Sequence, residues 1–385
     1  MKPILGILSV WQGDESKDRP FGLQTSFFEA IHKAAYSLGI GCYVFFPQDL
    51  GNTNGKLRAY SFQGNTWIES FVPFPHVVYD RIPLRSLETD PDYINFKRSI
   101  LKYTGGRMFN RTGFFSKWQI YSQCKKDLPK DLLLPKTEMV VKAQSVIRRA
   151  SDWEEVWLKP DAGSLGRGVY RLVKEPFGFT LESSDHSSMD QLGETELVSF
   201  LKELLSTEHY LIQQGISRAE YNRHPFDIRI LVQKNGNGKF VITNQFARLA
   251  AHGQIVSNIH AGANGHPLKD LLTQAERSTL RKHALACAHH LDSVLPGTIG
   301  ELGLDMILDR NRRFWFLEAN AKPFLKMEEA DPRSQKIAKR IVEFAIYLCK
   351  QPPKYTSNLL KKERKNRQRK KLLLDQDRSS IRTLR

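Results

Sequence analysis

Two carboxylates and one amide in a short stretch of the chain have the composition of a magnesium site. Residues 300–320 alternate in polarity on both sides of a polar turn at 309–312, which predicts a β-hairpin. Side chains alternate along a strand with a period of two, so Asp305, Glu318 and Asn320 project from one face of this hairpin. Hard oxygen ligands without thiolate or imidazole suit Mg²⁺, which completes its shell with water and substrate phosphate.

The register of this hairpin decides how close the two acids lie. A turn centred on residues 310 and 311 pairs Asp305 with Phe316 and makes Asp305 and Glu318 diagonal neighbours, about 7 Å apart. The alternative is that both acids are solvated on the polar outer face of an antiparallel sheet. Phe314 and Phe316 would share that face, which is unusual for an open surface.

A second hairpin carries the opposite charge. Residues 227–248 form two strand-like segments around the turn sequence Asn-Gly-Asn-Gly at 235–238. Pairing Lys234 with Lys239 places Asp227, Arg229, Asn244, Phe246 and Arg248 on one face and Ile228, Ile230 and Val232 on the other. Two arginines on one face suit phosphate or carboxylate, and an ion pair of Asp227 with either arginine is the alternative.

A glycine-rich segment follows a lysine at the end of a predicted strand. Lys159 precedes glycines at 163, 166 and 168, and a second strand begins near residue 169. Glycines let backbone N–H groups approach a polyphosphate, and the lysine adds a point charge. The order of lysine and glycines is not that of a P-loop, and the Rossmann spacing is absent. A simple glycine turn is the alternative.

The elements that must position these groups follow from composition and pattern. The 385 residues are 41% hydrophobic and 26% charged, which excludes a disordered, collagen-like or small disulfide-stapled chain. The four cysteines lie far apart in the sequence, and we expect them to be reduced and structural. No apolar run reaches the roughly 18 residues of a membrane span, so we expect a cytosolic protein without a transmembrane segment.

Three regions are predicted along the chain. Residues 1–106 alternate strand and helix patterns, which indicates an α/β domain with a parallel sheet. Residues 107–350 carry the two hairpins and long helical segments. Residues 351–385 are expected to form a basic, mobile tail. Within it, 361–385 hold eleven Lys or Arg and three acids, a net charge of +8 out of +17 for the chain.

Several motifs in one order resemble the ATP-grasp superfamily, whose members activate a carboxylate with ATP and join it to a nucleophile. The motifs are Lys159-Pro, the glycine-rich flap, Gln213-Gln-Gly-Ile216, Asp227-Ile-Arg229, Arg248, Val256-Ser-Asn258, Gly303-Leu-Asp305 and Leu317-Glu-Ala-Asn320. Tyr79-Asp-Arg-Ile82, Phe109-Asn110, Lys117-Trp118 and residues 318–323 further resemble YheC/YheD-type endospore coat-associated proteins. The resemblance implies an ATP-grasp fold, α/β with an α+β catalytic part, after an N-terminal pre-ATP-grasp domain.

The resemblance also implies a role for each matching residue. At the nucleotide these are Lys117 and Lys159 on the phosphates, Gly163, Ser164, Gly166 and Gly168 over them, Gln213, Gln214 and Ile216 around adenine, and Asp227 near ribose. The catalytic residues are Arg229 and Arg248 at the γ-phosphate or acyl phosphate, with Asn258 near the same phosphates. Asp305, Glu318 and Asn320 would hold one or two Mg²⁺ ions, with Mn²⁺ as the alternative.

Some positions stay open. From helix position alone, Lys125 or Lys126 competes with Lys117 for the phosphate role. Lys322 occupies the position at which many ATP-grasp ligases have small residues before a Pro-Gly turn. Its side chain either contacts an acidic substrate or points to solvent. His260 is either a base or, more simply, a hydrogen-bonded loop histidine.

The expected function is an ATP- and Mg-dependent ligase that joins an unknown carboxylate to an amine or another nucleophile. The alternative is a non-catalytic, ATP-binding assembly component of the spore coat. In both cases the basic tail would dock on coat proteins or another polyanion. The resemblance places the protein in the mother cell or forespore cytoplasm, in association with the spore coat. The acceptor substrate and the oligomeric state do not follow from the sequence.

Overall fold

A computed structural model describes residues 2–12, 19–50, 56–163, 166–185, 187–250, 265–325, 327 and 331–353. Ser164, Asn258, His260 and the basic segment 361–385 therefore lie outside the described residues. The described chain divides into two compact units. One contains the residues up to 111 together with those from 342 onward, and the other contains residues 112–341.

The first unit is built on a six-stranded sheet. Its spatial order is β4-β3-β2-β1-β5-β6, in which β2, β1, β5 and β6 run parallel, whereas β3 pairs antiparallel with both β2 and β4. The predicted parallel sheet is thus confirmed for four strands. The strands are β1 (Ile4–Leu8), β2 (Gly41–Phe45), β3 (Lys56–Gln63), β4 (Thr66–Pro73), β5 (Val77–Asp80) and β6 (Met108–Phe109), and the helices are α1 (Thr25–Ser37) and α2 (Pro91–Tyr103).

The second unit contains two further sheets, of which the first carries the glycine-rich segment. Its order is β11-β10-β9-β8-β12-β7, and every neighbouring pair is antiparallel. The strands are β7 (Thr137–Met139), β8 (Glu155–Pro160), β9 (Tyr170–Glu175), β10 (Gly178–Ser183), β11 (Ser188–Leu192) and β12 (Tyr210–Gln214), and the helices are α4 (Ala143–Trp153) and α5 (Glu194–Thr207). The preceding helix α3 (Lys117–Cys124) packs with the core of the other sheet of this unit.

Helices α4 and α5 cover one face of this sheet. Val156, Leu158 and Leu172 of the sheet pack with Val146 of α4 and Leu201 of α5 in a single buried cluster. Because side chains alternate along β8, the residues between these apolar ones point to the other face. Burial of one face thus dictates that Lys159 and its neighbours face away from the helices.

The second sheet of this unit carries both predicted hairpins. Its order is β16-β15-β14-β17-β18, and β13 pairs with β14. Helix α6 covers the apolar face and begins with a reciprocal cap, in which Thr273 and Glu276 each accept a hydrogen bond from the other's backbone N–H. The strands are β13 (Glu220–Tyr221), β14 (His224–Lys234), β15 (Phe240–Leu249), β16 (Gly265–His266), β17 (Glu301–Leu308) and β18 (Phe314–Asn320), and the helix of this sheet is α6 (Gln274–Val294). A further helix, α7 (Pro332–Lys350), begins in this unit and ends in the first.

The hairpin β14–β15 has the predicted faces but a different register. Asp227 pairs with Arg248, and Arg229 pairs with Phe246, because Thr243 is an extra residue in a β-bulge. The predicted register was therefore wrong by two positions in this half. An even shift keeps every side chain on its face, and Ile228 and Ile230 lie in the core as expected.

The hairpin β17–β18 also contains a bulge, and here one predicted face was wrong. Asp305 pairs directly with Glu318, whereas Met306 pairs with Phe316, so Leu317 is the extra residue. Asp305 and Glu318 are therefore directly opposite, not diagonal. Phe314 and Phe316, both predicted on the face of Asp305, lie in the core, because the bulge shifts the turn-side half of the strand by a single position.

Among the residues that the structure describes, no helix combines the length and apolar character needed to cross a membrane.

Candidate active site

Three oxygen-bearing side chains converge on β17 and β18. Asp305 and Glu318 are cross-strand partners, and Asn320 pairs with Gly303 on the same two strands. The amide nitrogen of Asn320 lies 3.4 Å from Oδ2 of Asp305 and 3.3 Å from Oε1 of Glu318. The side chains that the sequence placed on one face are thus brought together.

This set matches the donor preference of a magnesium ion. Two carboxylates and an amide lie within hydrogen-bond distance of one another, and a turn of the Asn320 amide would present its oxygen instead of its nitrogen. In the described parts of the chain, no cluster of three His, Cys, Asp or Glu forms a complete metal cage. A two-carboxylate set that leaves room for water and phosphate is the expected form for Mg²⁺.

Two arginines from the neighbouring strands bind the carboxylates. Arg229 donates through Nε to Oδ1 and through Nη2 to Oδ2 of Asp305, the latter over 2.8 Å. Arg248 donates through Nε to Oδ1 of Asp227 over 2.5 Å, and its Nη2 lies 3.3 Å from Oδ1 of Asp305. The predicted ion pair of Asp227 with an arginine is present, with Arg248, and both partners are buried.

These pairs fix the charges of the buried groups. Burial alone would raise the pKa of Asp305, but Arg229 and Arg248 outweigh that cost and lower it to about 2. Burial alone would lower the pKa of Arg248, but Asp305 and Asp227 outweigh it and raise that pKa. Asp305 is therefore a carboxylate, able to hold a cation, throughout the physiological pH range.

Lys159 lies on the open face of the first sheet of this unit, at the end of β8. Its Nζ donates to Oε1 of Gln213 over 2.7 Å, and the Gln213 amide donates to the Thr137 hydroxyl over 3.0 Å. Burial lowers the pKa of Lys159 to about 8, while the negative charges of Glu318 and Asp305 oppose this shift. The lysine thus lies in the electric field of the carboxylates on the second sheet.

Lys117 holds the start of the glycine-rich segment. It is the first residue of α3, whose N-cap Ser116 accepts a hydrogen bond from the Gln119 N–H over 3.0 Å. Its Nζ donates to the carbonyl oxygens of Pro160 over 3.1 Å and of Gly163 over 2.6 Å. Lys117 also lowers the pKa of Lys159 through charge repulsion, so the two predicted phosphate lysines are brought together.

The glycines of this segment are required by the backbone. Gly166 and Gly168 have φ values of +76° and +67°, a region that glycine enters without steric cost. A Cβ on Gly163 would lie 2.3 Å from Cγ of Pro160. A residue other than glycine at any of these three positions would therefore strain or displace the backbone.

The residues predicted to contact adenine lie at the end of β12, where the backbone is still hydrogen-bonded to neighbouring segments. Gln214 donates its N–H to the Lys136 carbonyl, and Gly215 donates to the Glu155 carbonyl, both over 2.8 Å. Ile216 follows and is half-buried. Gln214 and Ile216 thus lie next to Gln213 by chain continuity.

The sequence reasoning missed Arg218. Burial lowers the pKa of its guanidinium, while the charges of Asp227 and Glu155 oppose this shift, and Arg218 in turn lowers the pKa of Lys159. Its backbone forms a bridge with Asp309, at the end of the second hairpin. No periodicity points to Arg218, because it lies in an irregular connection; only its position between two motifs could have drawn attention to it.

Comparison with known proteins agrees with this architecture. The sequence profile of the YheC/D-like ATP-grasp family matches residues 105–348. Endospore coat-associated protein YheD of Bacillus subtilis (strain 168) is 28% identical over 330 residues, which cover 83% of this chain and 72% of that protein.

Solved structures show the same fold at low sequence identity. D-alanyl-alanine synthetase A from Vibrio cholerae has a TM-score of 0.56 and 12% identity, covering 91% of this chain and 98% of its own. The ADP complex of purK, an N5-carboxyaminoimidazole ribonucleotide synthetase, has a TM-score of 0.53 and 13% identity, covering 92% and 79%. The expected ATP-grasp fold is therefore confirmed, and the chain belongs to the YheC/D-like ATP-grasp family.

Proposed function

We propose that this protein is an ATP- and Mg²⁺-dependent ligase that activates a carboxylate as an acyl phosphate and transfers the acyl group to an amine or a thiol. The observation that carries the proposal is the convergence of Asp305, Glu318 and Asn320 with Arg229, Arg248 and Lys159 in one unit of the chain. The proposed catalytic region is 107–350, with residues 1–106 as a separate domain.

The nucleotide half of the site is assigned to the first sheet of this unit. Lys117 and Lys159 would neutralise the phosphates, and Gly163, Ser164, Gly166 and Gly168 would cover them. Gln213, Gln214 and Ile216 would contact adenine, and Asp227 would lie near ribose. The proximity of Lys117, Lys159 and Gln213 supports this assignment. The purK structure is an ADP complex, which agrees with nucleotide binding by this fold.

Asp305, Glu318 and Asn320 would hold one or two Mg²⁺ ions, or Mn²⁺ in their place. When bound, such an ion neutralises phosphate charge and orients the γ-phosphate for attack. Arg229 and Arg248 contact the Asp305 carboxylate and neutralise its charge, so this buried group stays ionised. We assign their cationic groups, with Asn258, to the reacting phosphate, where they would stabilise the developing charge.

The reaction follows from positioning rather than from a protein nucleophile. A substrate carboxylate oxygen attacks the γ-phosphorus of ATP, the bond to the β-phosphate oxygen breaks, and ADP leaves. An amine or thiol then attacks the carbonyl carbon of the acyl phosphate, phosphate leaves, and the nucleophile gives up a proton. The cations Arg229, Arg248 and Lys159 would stabilise the charge on the leaving oxygens in both steps.

Coat association of this protein is proposed from its relative. YheD of Bacillus subtilis is named as endospore coat-associated and is 28% identical to this chain. We extend that association to this protein, with the basic segment 361–385 as the element that binds acidic coat proteins or another polyanion. Deleting residues 355–385 should abolish salt-sensitive binding to heparin and leave ADP release unchanged; unchanged heparin retention would refute this role.

ADP release decides between ligase and binding component. Purified protein with Mg-ATP is screened against amino acids, peptides and cell-wall precursors, with ADP and phosphate as readouts. Turnover that depends on one carboxylate and one nucleophile, and that Glu318→Gln abolishes, would establish the ligase. Nucleotide binding without ADP release for any carboxylate would instead identify an ATP-binding assembly component.

A further inference from the structure

Strand β4 lies at one edge of the sheet in the first unit. It pairs with β3 along its whole length of eight residues without a bulge. Over the described ranges of the chain, no strand pairs with its other side. Ile68 and Phe71 project from opposite faces of β4, and their side chains are 44% and 61% exposed. The strand is therefore a regular edge that is covered neither along its backbone nor on these two side chains.

The turn before β4 determines which of its backbone groups point away from β3. Gly64 and Asn65 have φ values of +52° and +65° and form the two-residue loop of the β3–β4 hairpin. Positive φ at both positions indicates a type I′ turn, in which the N–H of Thr66 is directed toward β3. The direction then alternates from residue to residue along an antiparallel pair. The N–H groups that point outward are those of Trp67, Glu69 and Phe71.

The edge of β4 lacks the features that keep exposed strands from pairing with other chains. Such features are lysines, bulges and prolines within the strand. Pro73 lies only at the end of β4, and Glu69 is the single charged residue of the strand. The Tyr60 hydroxyl donates to Oε2 of Glu69 over 2.8 Å, and Nη1 of Arg58 lies 3.9 Å from Oε1. The one charge that could repel an approaching strand is thus bound within its own hairpin.

The side chains of β4 are complementary to a second copy of the same strand. Two copies that pair antiparallel about a two-fold axis must place one residue opposite itself. If that residue were Glu69, like charges would face each other. If it is Ser70, a small side chain lies on the axis, and Ile68 of each copy faces Val72 of the other. In this register the outward N–H and C=O groups of Glu69 and Phe71 bind each other across the interface.

We infer that β4 is a homodimer interface, at which two copies of this chain join their first-unit sheets edge to edge with Ser70 on the two-fold axis. The pairing supplies hydrogen-bond partners for the outward backbone groups and covers Ile68 and Phe71. An interface built from one strand of each copy is small, so monomer and dimer should exchange in the micromolar range. This inference is independent of the proposed ligase reaction.

Sedimentation velocity of the full-length protein over a series of concentrations tests the interface. Physiological ionic strength is used, since it screens the net charge of +17. Wild type should shift from monomer to dimer as its concentration rises. Ser70→Lys and Ser70→Glu each place like charges on the axis and should weaken the dimer at least about tenfold. An equimolar mixture of these two variants should dimerise again, because the axis then joins opposite charges.

Gln63→Lys is the matched control. Gln63 is an exposed residue of β3 at the turn end of the same hairpin, outside the paired segment 67–73, so the same added charge should leave the dimer unchanged. Ser70 is also exposed, and thermal unfolding checks that its variants fold. If one of them fails to fold, the other still tests the axis. A wild type that stays monomeric at every concentration, a Ser70→Lys dimer as stable as wild type, or a mixture that stays monomeric would overturn the inference.

Discussion

Arg229 and Asp305 are direct partners across the antiparallel ladder of β14 and β17, and the guanidinium contacts both oxygens of the carboxylate. The negative charge of Asp305 is thus already neutralised by the Arg229 cation before any ligand binds. A divalent ion or a phosphate that enters meets charges that are fixed in position, so little reorganisation is needed during the reaction.

Replacing Asp305 with Asn should cost both stability and turnover. Arg229 and Arg248 would lose their shared carboxylate in a buried setting, which we expect to lower the free energy of unfolding by about 3–5 kcal/mol. ADP release should fall at least about 100-fold, since a charged ligand is lost. Urea unfolding and a coupled ADP assay measure the two effects.

Glu318→Gln should separate the loss of turnover from the loss of stability. Glu318 is half-buried and interacts with Asp305 as well as with the Asn320 amide, whereas Asp305 is buried and contacts both arginines. The stability loss from Glu318→Gln should therefore stay under about 1 kcal/mol. Its ADP release should nevertheless fall as in Asp305→Asn. Equal destabilisation by both substitutions would contradict the assigned charge distribution.

The low pKa of Asp305 predicts acid sensitivity in a defined window. Its pKa falls from 3.8 to about 2 on folding, so the folded state binds fewer protons between these values. The stability it contributes is complete above about pH 4 and is lost as the pH falls toward 2. The difference in unfolding free energy between wild type and Asp305→Asn should therefore shrink across this window, and a pH-independent difference would argue against it.

Lys159 predicts opposite pH effects on binding and on stability. Because its pKa is lowered to about 8, we expect ATP affinity to fall by up to about tenfold per pH unit above 8, as the phosphate partner loses its charge. In the same range the unfolded chain binds the proton more tightly, so the ligand-free protein should gain stability between pH 8 and 10.5.

Lys159→Arg is the control for this behaviour. Arginine stays charged to well above pH 12, so the affinity of this variant for ATP should remain flat up to pH 10. Titration calorimetry at several pH values measures both proteins. A parallel decline in wild type and Lys159→Arg would assign the pH effect to another group.

Gly303→Ala should disturb the metal-binding strand pair without removing any polar group. A Cβ at Gly303 would lie 2.8 Å from Cβ of Pro323, and Gly303 is the ladder partner of Asn320. We expect a loss of about 1–3 kcal/mol from overpacking, together with weaker Mg²⁺-dependent ADP release.

Gly265→Ala provides the comparison in the same sheet. Its Cβ would meet the Phe246 ring at 3.4 Å, an ordinary contact. Both thermal unfolding and ADP release of this variant should match wild type. If Gly303→Ala behaves equally well, Pro323 yields to the added methyl group and its position near Asn320 is not constrained.

The sequence predicted the faces of the strands better than their registers. The period of two placed Asp227, Arg229 and Arg248 on one face, because each even shift leaves the face unchanged. The bulges at Thr243 and Leu317 were not predictable, since neither position carries a glycine or another bulge signal. For Phe316 the single-position shift at Leu317 turned the predicted face over.

The site was predictable where a motif lay on a regular strand. Asp305, Glu318 and Asn320 converge as their alternation required. The Lys159–Gln213 hydrogen bond and the position of Arg218 near Asp227 and Glu155 were not predictable, because both depend on which strands become neighbours. Pairing of β8 with β12 joins residues at least 50 positions apart, and local patterns carry no information on such distances.

Leu317 is the one residue of β18 that interrupts the alternation of side chains between the two faces. Phe316 faces the core, Leu317 and Glu318 are both half-buried, and Ala319 returns to the core. A chain that lacked Leu317 would alternate without interruption through the whole of β18, and Asp305 would still stand opposite Glu318. Deletion of Leu317 would thus leave every remaining side chain of the hairpin on its present face.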